Sequence, residues 1–147
     1  MNQKKRPNVI FVFTDQQRAD TIGFEVNGNK VSPNLERIAS EGALFKQAFT
    51  PQPVCGPARA CLQTGNYVTE NGVYRNGLGL DAQPQNIGNT IATWFQNGGY
   101  EIGYIGKWHL ASNTGPTDFD SGEQVRYHNV PIPEDRRGGY NEYWLGV

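Results

Sequence analysis

Three short stretches of the sequence combine residue types that can do chemistry. In Cys55-Gly-Pro-Ala-Arg59 a thiol precedes a guanidinium by four residues. Pro57 sits where a helix can start, so the two side chains would share one face about one turn apart. Cysteine can act as a covalent nucleophile, and arginine's fixed fork of donors anchors a hydroxyl or an anionic oxygen. In Gly106-Lys-Trp-His109 an extended backbone would point Lys107 and His109 to the same side. A fixed cation beside a proton acceptor suits a reaction in which charge develops on oxygen. Asp15-Gln16 offers a carboxylate and an amide oxygen, donors that suit a hard cation such as Ca2+. Each stretch also has a plainer reading. Cys55 could be an inert buried thiol, Arg59, Lys107 and His109 could be solvated surface residues, and Asp15 could cap a local turn.

The elements that would position these groups follow from pattern. Asn8–Phe13 is a continuous β-branched and aromatic run and reads as a strand buried on both faces. It ends at Thr14-Asp15-Gln16-Gln17, and in open α/β sheets ligands gather at the carboxyl ends of strands. Ser32-Pro33 opens a helix that Gly42 closes, with Leu35, Ile38 and Ala39 as its inward stripe. Ala43–Phe49 reads as a second strand. After a proline-bearing loop, a helix begins near Pro57, with Cys55 just before its N-terminus and Cys61 a packing residue along it. Ile87, Ile91, Trp94 and Phe95 follow helical spacing, Gly98-Gly99 stops that helix, and Tyr100–Ile105 makes the next strand. Strand, helix, strand, helix, helix, strand is an α/β order with a largely parallel sheet. From Ala111 onward the periodicity fades into a loop-rich region, where His128 reads as a surface residue. The aromatic cluster Tyr140, Tyr143 and Trp144 then expects a surface to pack against.

Composition narrows the function classes. The 147 residues suffice for one domain with a core. Charged residues make up 18% and the formal net charge is −1, which gives no electrostatic case for nucleic acid or an anionic membrane surface. Val9–Phe13 is too short for a signal-peptide core or a membrane span. The expected location is therefore cytoplasmic as the sequence is written, and periplasmic or secreted if a leader has been removed. Two cysteines six residues apart match neither a zinc site nor a disulfide scaffold.

Cys55, Pro57, Arg59, Leu62, Thr64 and Gly65 together resemble the C-x-P-x-R…L-x-T-G signature of type I sulfatases. Gly99–Leu110 resembles the family's second signature, a strand leading into G-K-W-H. The resemblance runs from Pro7 to Leu110 and more weakly through Arg137–Trp144. It implies that residues 1–147 form the N-terminal portion of an alkaline-phosphatase-like α/β domain, with a mainly parallel sheet flanked by helices. It also implies that a maturation enzyme oxidises Cys55 to Cα-formylglycine, whose hydrated aldehyde offers one hydroxyl to attack sulfur and a second to release sulfate. Calcium would sit on Asp15, Gln16 and the oxygen made from Cys55. Arg59 would hold the diol, Lys107 would lie between diol and sulfate, and His109 would act as base on the second hydroxyl. The implied substrate is a small-molecule or saccharide sulfate ester.

Gln16 departs from the Asp-Asp that most of the family carries. It resembles the Asp-Gln form of choline-sulfatase-like and phosphonate-monoester-hydrolase-like branches, so a phosphonate or phosphodiester hydrolase stays open as a second reading. The family's later metal ligands, second histidine and second lysine would lie beyond Val147. The chain is accordingly expected to be an incomplete domain with negligible activity and weak calcium binding by itself, or a truncated chain that does no catalysis.

Overall fold

The structure, a computed structural model, describes residues 6–112 and 131–147 and divides into two compact units, Met1–Ala48 and Phe49–Val147. His128 lies outside the described residues. In the first unit, β1 (Glu25–Val26) and β2 (Asn29–Lys30) form an antiparallel hairpin. Its turn is Asn27-Gly28, with φ of 51° and 76°, the left-handed pair that a two-residue hairpin demands. Helix α1 (Pro33–Glu41) follows, with Ser32 at its N-cap, Pro33 in its first turn and Gly42 at its C-cap, as the sequence predicts. The Ser32 hydroxyl does not cap the helix. It donates to the Thr21 carbonyl at 2.7 Å and ties the helix to the segment before the hairpin.

Two expected strands are absent from this fold. Neither Asn8–Phe13 nor Ala43–Phe49 adopts strand structure, and Ile10 and Phe45 are 86% and 80% exposed. A strand persists only where a neighbour takes up its N–H and C=O groups, and among the described residues no segment pairs with either run. The apolar stripe of α1 is likewise uncovered, with Leu35 and Ile38 exposed and Ala39 part-buried.

The second unit holds the core. Helix α2 spans Cys55–Thr64, so Cys55 is its first residue and the extended Val54 its N-cap. Pro57 is tolerated because an N–H in the first turn has no intrahelical acceptor to lose. Cys61 is buried on this helix, as expected for a packing residue. Helix α3 (Val68–Asn71) follows directly. Helix α4 (Ile91–Asn97) is held by a capping box between Thr90 and Thr93 and ends at Gly98. It is shorter than its apolar pattern implied. Ile87 ends a preceding single turn and is exposed, and the residues facing inward are Ala92 and Phe95, not Trp94.

Strand β3 (Gly103–Gly106) pairs in parallel with β4 (Tyr143–Gly146), Tyr104 opposite Trp144. A parallel pair needs a long crossover, here the chain from 107 to 142. The α/β class and parallel pairing agree with the sequence reading, whereas β4 was not foreseen. The expected aromatic partner is found: Tyr140 is buried and Trp144 stacks on Tyr104 at 5.3 Å, while Tyr143 stays exposed on the opposite sheet face. Among the described residues, no helix is long and apolar enough to cross a membrane.

Buried polar links close the unit. Fully buried Asn86 donates from Nδ2 to the carbonyls of Asn71 (2.7 Å) and Leu80 (2.9 Å), and Asn71 Oδ1 accepts from the Val73 N–H. Replacing Asn86 by Ala strips both carbonyls of this donor and should cost on the order of 2–3 kcal/mol. Urea unfolding of the two proteins measures this, and a midpoint unchanged by Asn86→Ala would show that the links do not hold the unit together.

Candidate active site

Cys55 and Arg59 share the first two turns of α2, and backbone contacts bring that end of the helix to the Lys107–His109 segment. A Cβ placed on Gly56 would lie 3.5 Å from the His109 carbonyl and 3.1 Å from Asn76 Oδ1. Asn76 already accepts from the Gly56 N–H at 2.9 Å, satisfying a donor that the helix start leaves without an intrahelical acceptor. Asn76 thus fixes the turn that carries Cys55, a role with no local sequence signal. Cys55 is half-buried at the positive end of the helix, where an anion is favoured.

Arg59 is 6% exposed, so it is not the solvated surface residue of the plainer reading. Its Nη1 donates to the Lys107 carbonyl at 2.6 Å. The Tyr104 hydroxyl donates to the same carbonyl at 2.5 Å. Lys107 therefore has two donors, one from helix and one from strand, on its own peptide oxygen.

The residues around Lys107 are pinned as well. Trp108 N–H donates to the Val147 carbonyl at 2.6 Å, and Val147 N–H donates to the Gly106 carbonyl at 3.0 Å, extending the β3–β4 pairing past Lys107. Gly106 has φ of 108°, where a side chain would be strained. Trp108 is fully buried, and its indole N–H donates to the Arg136 carbonyl at 3.0 Å. With Trp108 turned inward, Lys107 is exposed and His109 half-buried. The simple extended geometry expected for these two residues is modified, because His109 has φ of 56°. A non-glycine residue there is uncommon and costs free energy that surrounding structure must offset. The carbonyl of Leu110, just beyond, accepts from Leu80 N–H at 2.9 Å. Gly79 permits this approach, since a Cβ on it would sit 2.4 Å from that carbonyl oxygen.

Asp15 and Gln16 belong to the first unit, whereas Cys55, Arg59, Lys107 and His109 belong to the second. Both are exposed, and Gln16 also has a left-handed φ, 57°. No group of three or more His, Cys, Asp or Glu side chains is arranged to hold a metal among the described residues.

The Sulfatase family model matches residues 7–142 of the chain. An uncharacterised sulfatase, YidJ, of Escherichia coli (strain K12) is 40% identical over 119 residues, covering 81% of this chain and 22% of that protein. The N-acetylglucosamine-6-O-sulfatase of Bacteroides thetaiotaomicron is 37% identical over 141 residues, covering 90% of this chain and 24% of that protein. The crystal structure of a sulfatase YidJ from Bacteroides fragilis superposes with a TM-score of 0.70 at 30% identity, covering 95% of this chain and 32% of that one. The chain thus spans about a quarter of the length of the curated relatives it matches, and it shares the solved neighbour's α/β fold over nearly all of its own length.

The packing around Lys107 sets a pH dependence. Burial raises the Tyr104 pKa above its ordinary value, although the Arg59 charge and hydrogen bond pull it partly back, and burial raises Tyr140 likewise. With folded values above unfolded ones, both phenols contribute stability that is fully present below about pH 10 and lost as pH rises through the folded values. The unfolding temperature of the chain should therefore fall above pH 10, and Tyr104→Phe with Tyr140→Phe should flatten that fall. An equally steep decline in the double variant would rule these two phenols out as its cause.

Proposed function

The chain belongs to the sulfatase family, and on that premise we propose that it supplies the nucleophile, the anion-binding lysine and a proton-accepting histidine for hydrolysis of a sulfate monoester to alcohol and sulfate. The observation behind this reading is the convergence of the Cys55 helix end and the Lys107–His109 segment, bridged by the 2.6 Å bond from Arg59 to the Lys107 carbonyl. Cys55, at the start of α2, is the residue a maturation enzyme would oxidise to formylglycine. The hydrated aldehyde supplies one hydroxyl to attack sulfur and another whose deprotonation lets sulfate depart.

The chain's own residues then have separable tasks. Arg59 orients the modified side chain from one helical turn further along α2. Lys107 neutralises charge growing on the sulfate oxygens. His109 accepts a proton from the second hydroxyl, and its backbone carbonyl lies beside Gly56 in the first turn of α2. A calcium ion would be held by Asp15 and Gln16, whose carboxylate and amide oxygens fit a hard cation, and bound there it would act as a Lewis acid on sulfate oxygen. Ca2+ takes 6–8 oxygens, so these two residues form part of its shell and the remainder must come from elsewhere. Relatives named for saccharide sulfates, such as the N-acetylglucosamine-6-O-sulfatase, favour a sulfated sugar as substrate. The neutral Gln16 favours the second reading, a phosphonate or phosphodiester hydrolase of the same superfamily.

Two measurements test these readings. Co-expression with a formylglycine-generating enzyme followed by peptide mass spectrometry should show conversion at Cys55 and none at Cys61; an untouched Cys55 would remove the nucleophile from the proposal. In a polypeptide that carries this chain with the rest of a sulfatase domain, Lys107→Ala should lower turnover of a sulfate ester by about 10²–10³-fold. His109→Ala should instead let a sulfated adduct accumulate at position 55. Faster turnover of a phosphonate ester than of the matching sulfate ester would favour the second reading.

A further inference from the structure

We propose that the Tyr104 hydroxyl is a positioning group for Lys107, acting with Arg59 as a two-donor clamp on the Lys107 carbonyl. This rests on the sulfuryl-transfer reading, in which Lys107 contacts the sulfate. The phenol and the guanidinium reach one oxygen from different elements, Tyr104 from β3 at 2.5 Å and Arg59 from α2 at 2.6 Å. A carbonyl has two lone pairs, so this pair of donors fills its capacity. The peptide unit is planar, so holding the oxygen fixes the orientation of the whole 107–108 link. That link determines where the Lys107 side chain leaves the backbone and where the strained His109 begins.

The hydroxyl is separable from the packing of its ring. The Tyr104 ring stacks on Trp144 at 5.3 Å and meets Trp108 edge-on at 5.0 Å, contacts that a phenylalanine would keep. Tyr140 offers an internal comparison. It packs in the same cluster, 5.2 Å from Tyr104 and 5.8 Å from Trp108, but its hydroxyl points elsewhere and donates to Gln63 Oε1 at 3.1 Å. Two phenols therefore share one core, and only one of them reaches the candidate site. A role in stability alone would make the two hydroxyls equivalent, whereas a positioning role distinguishes them.

The test uses a unique dipeptide. Lys107-Trp108 is the single Lys-Trp pair in the sequence, so carbonyl-¹³C lysine with ¹⁵N tryptophan labels one peptide bond of the whole chain. Tyr104→Phe should move the Lys107 carbonyl resonance in the direction of a weaker hydrogen bond and speed exchange of the Trp108 amide proton. Tyr140→Phe should leave both as in the parent chain. An unmoved resonance in Tyr104→Phe, or equal movement in the two variants, overturns the clamp.

Inorganic sulfate is the second probe, followed at the same resonance. Tyr104→Phe should weaken its apparent affinity about three- to tenfold, the effect of one hydrogen bond, and Tyr140→Phe should not. A moved carbonyl with unaltered sulfate affinity would leave a structural bond and overturn the positioning role. In a polypeptide that carries this chain with the rest of a sulfatase domain, a parent that ignores sulfate would overturn the sulfuryl-transfer reading, and the positioning role with it, while the carbonyl resonance of the chain itself still reported whether the clamp exists.

Discussion

A tryptophan can be buried completely only if its ring is packed on all sides and its indole N–H finds an acceptor. Trp108 meets both conditions: it is fully buried among Tyr104, Tyr140 and Trp144, and it donates to the Arg136 carbonyl. Much of the second unit depends on this one burial. It draws the 131–147 segment over the core, which places Val147 to pair with Gly106 and Trp108. It also sets the sidedness of the chemistry. With the middle residue of Lys107-Trp108-His109 turned inward, Lys107 is exposed, His109 is half-buried, and the carbonyls of both lie against the start of α2.

The same anchoring explains how a left-handed histidine persists. His109, with φ of 56°, lies between fully buried Trp108 and nearly fully buried Leu110, whose carbonyl is bonded to Leu80 N–H. Relaxing the His109 backbone would pull at least one of these anchors out of place. Cavity formation at a large buried side chain costs about 3–5 kcal/mol, more than the roughly 1–3 kcal/mol held in an unusual backbone conformation. Packing on either side therefore over-determines the conformation between them.

What the sequence revealed and what it hid divide along physical lines. The α1 boundaries were legible because Ser, Pro and Gly act through their immediate neighbours. Cys55, Arg59, Lys107 and His109 could be singled out because residue type and spacing suggest chemistry, and the fold brings the segments that carry them together. The Asn27-Gly28 turn was also readable from two residues, although its hairpin went unassigned. By contrast, β4 depends on the distant β3 for every ladder bond, and Tyr143–Gly146 has only four residues in which to show a pattern. Asn76 and Tyr104 escaped notice for a similar reason. Each acts on the site through a backbone group, Gly56 N–H or the Lys107 carbonyl, and backbone partners leave no trace in residue spacing. The run Asn8–Phe13 failed in the opposite sense, since strong β propensity without a pairing partner yields no strand.

This last failure bears on how the two parts of the proposed chemistry are supported. Among the described residues 6–48 none is buried, whereas the second unit holds a buried apolar core that includes Trp108 and Leu110, on either side of His109. Rigid support comes from packed surroundings, and a segment with few buried contacts opens at little free-energy cost. The Arg59 side chain and the backbone on either side of Lys107 and His109 are therefore held by their own unit. Asp15 and Gln16 are both exposed in theirs, and the left-handed φ at Gln16 has no buried residue beside it. A cation bound by these two oxygens would have to order the segment as it bound, and that ordering would reduce its affinity. If instead Val9–Phe13 were covered by strands pairing along it, the same burial that made it a strand would fix Asp15 and Gln16 at its carboxyl end. Pairing of that apolar run and preparation of the proposed cation site would then be one event.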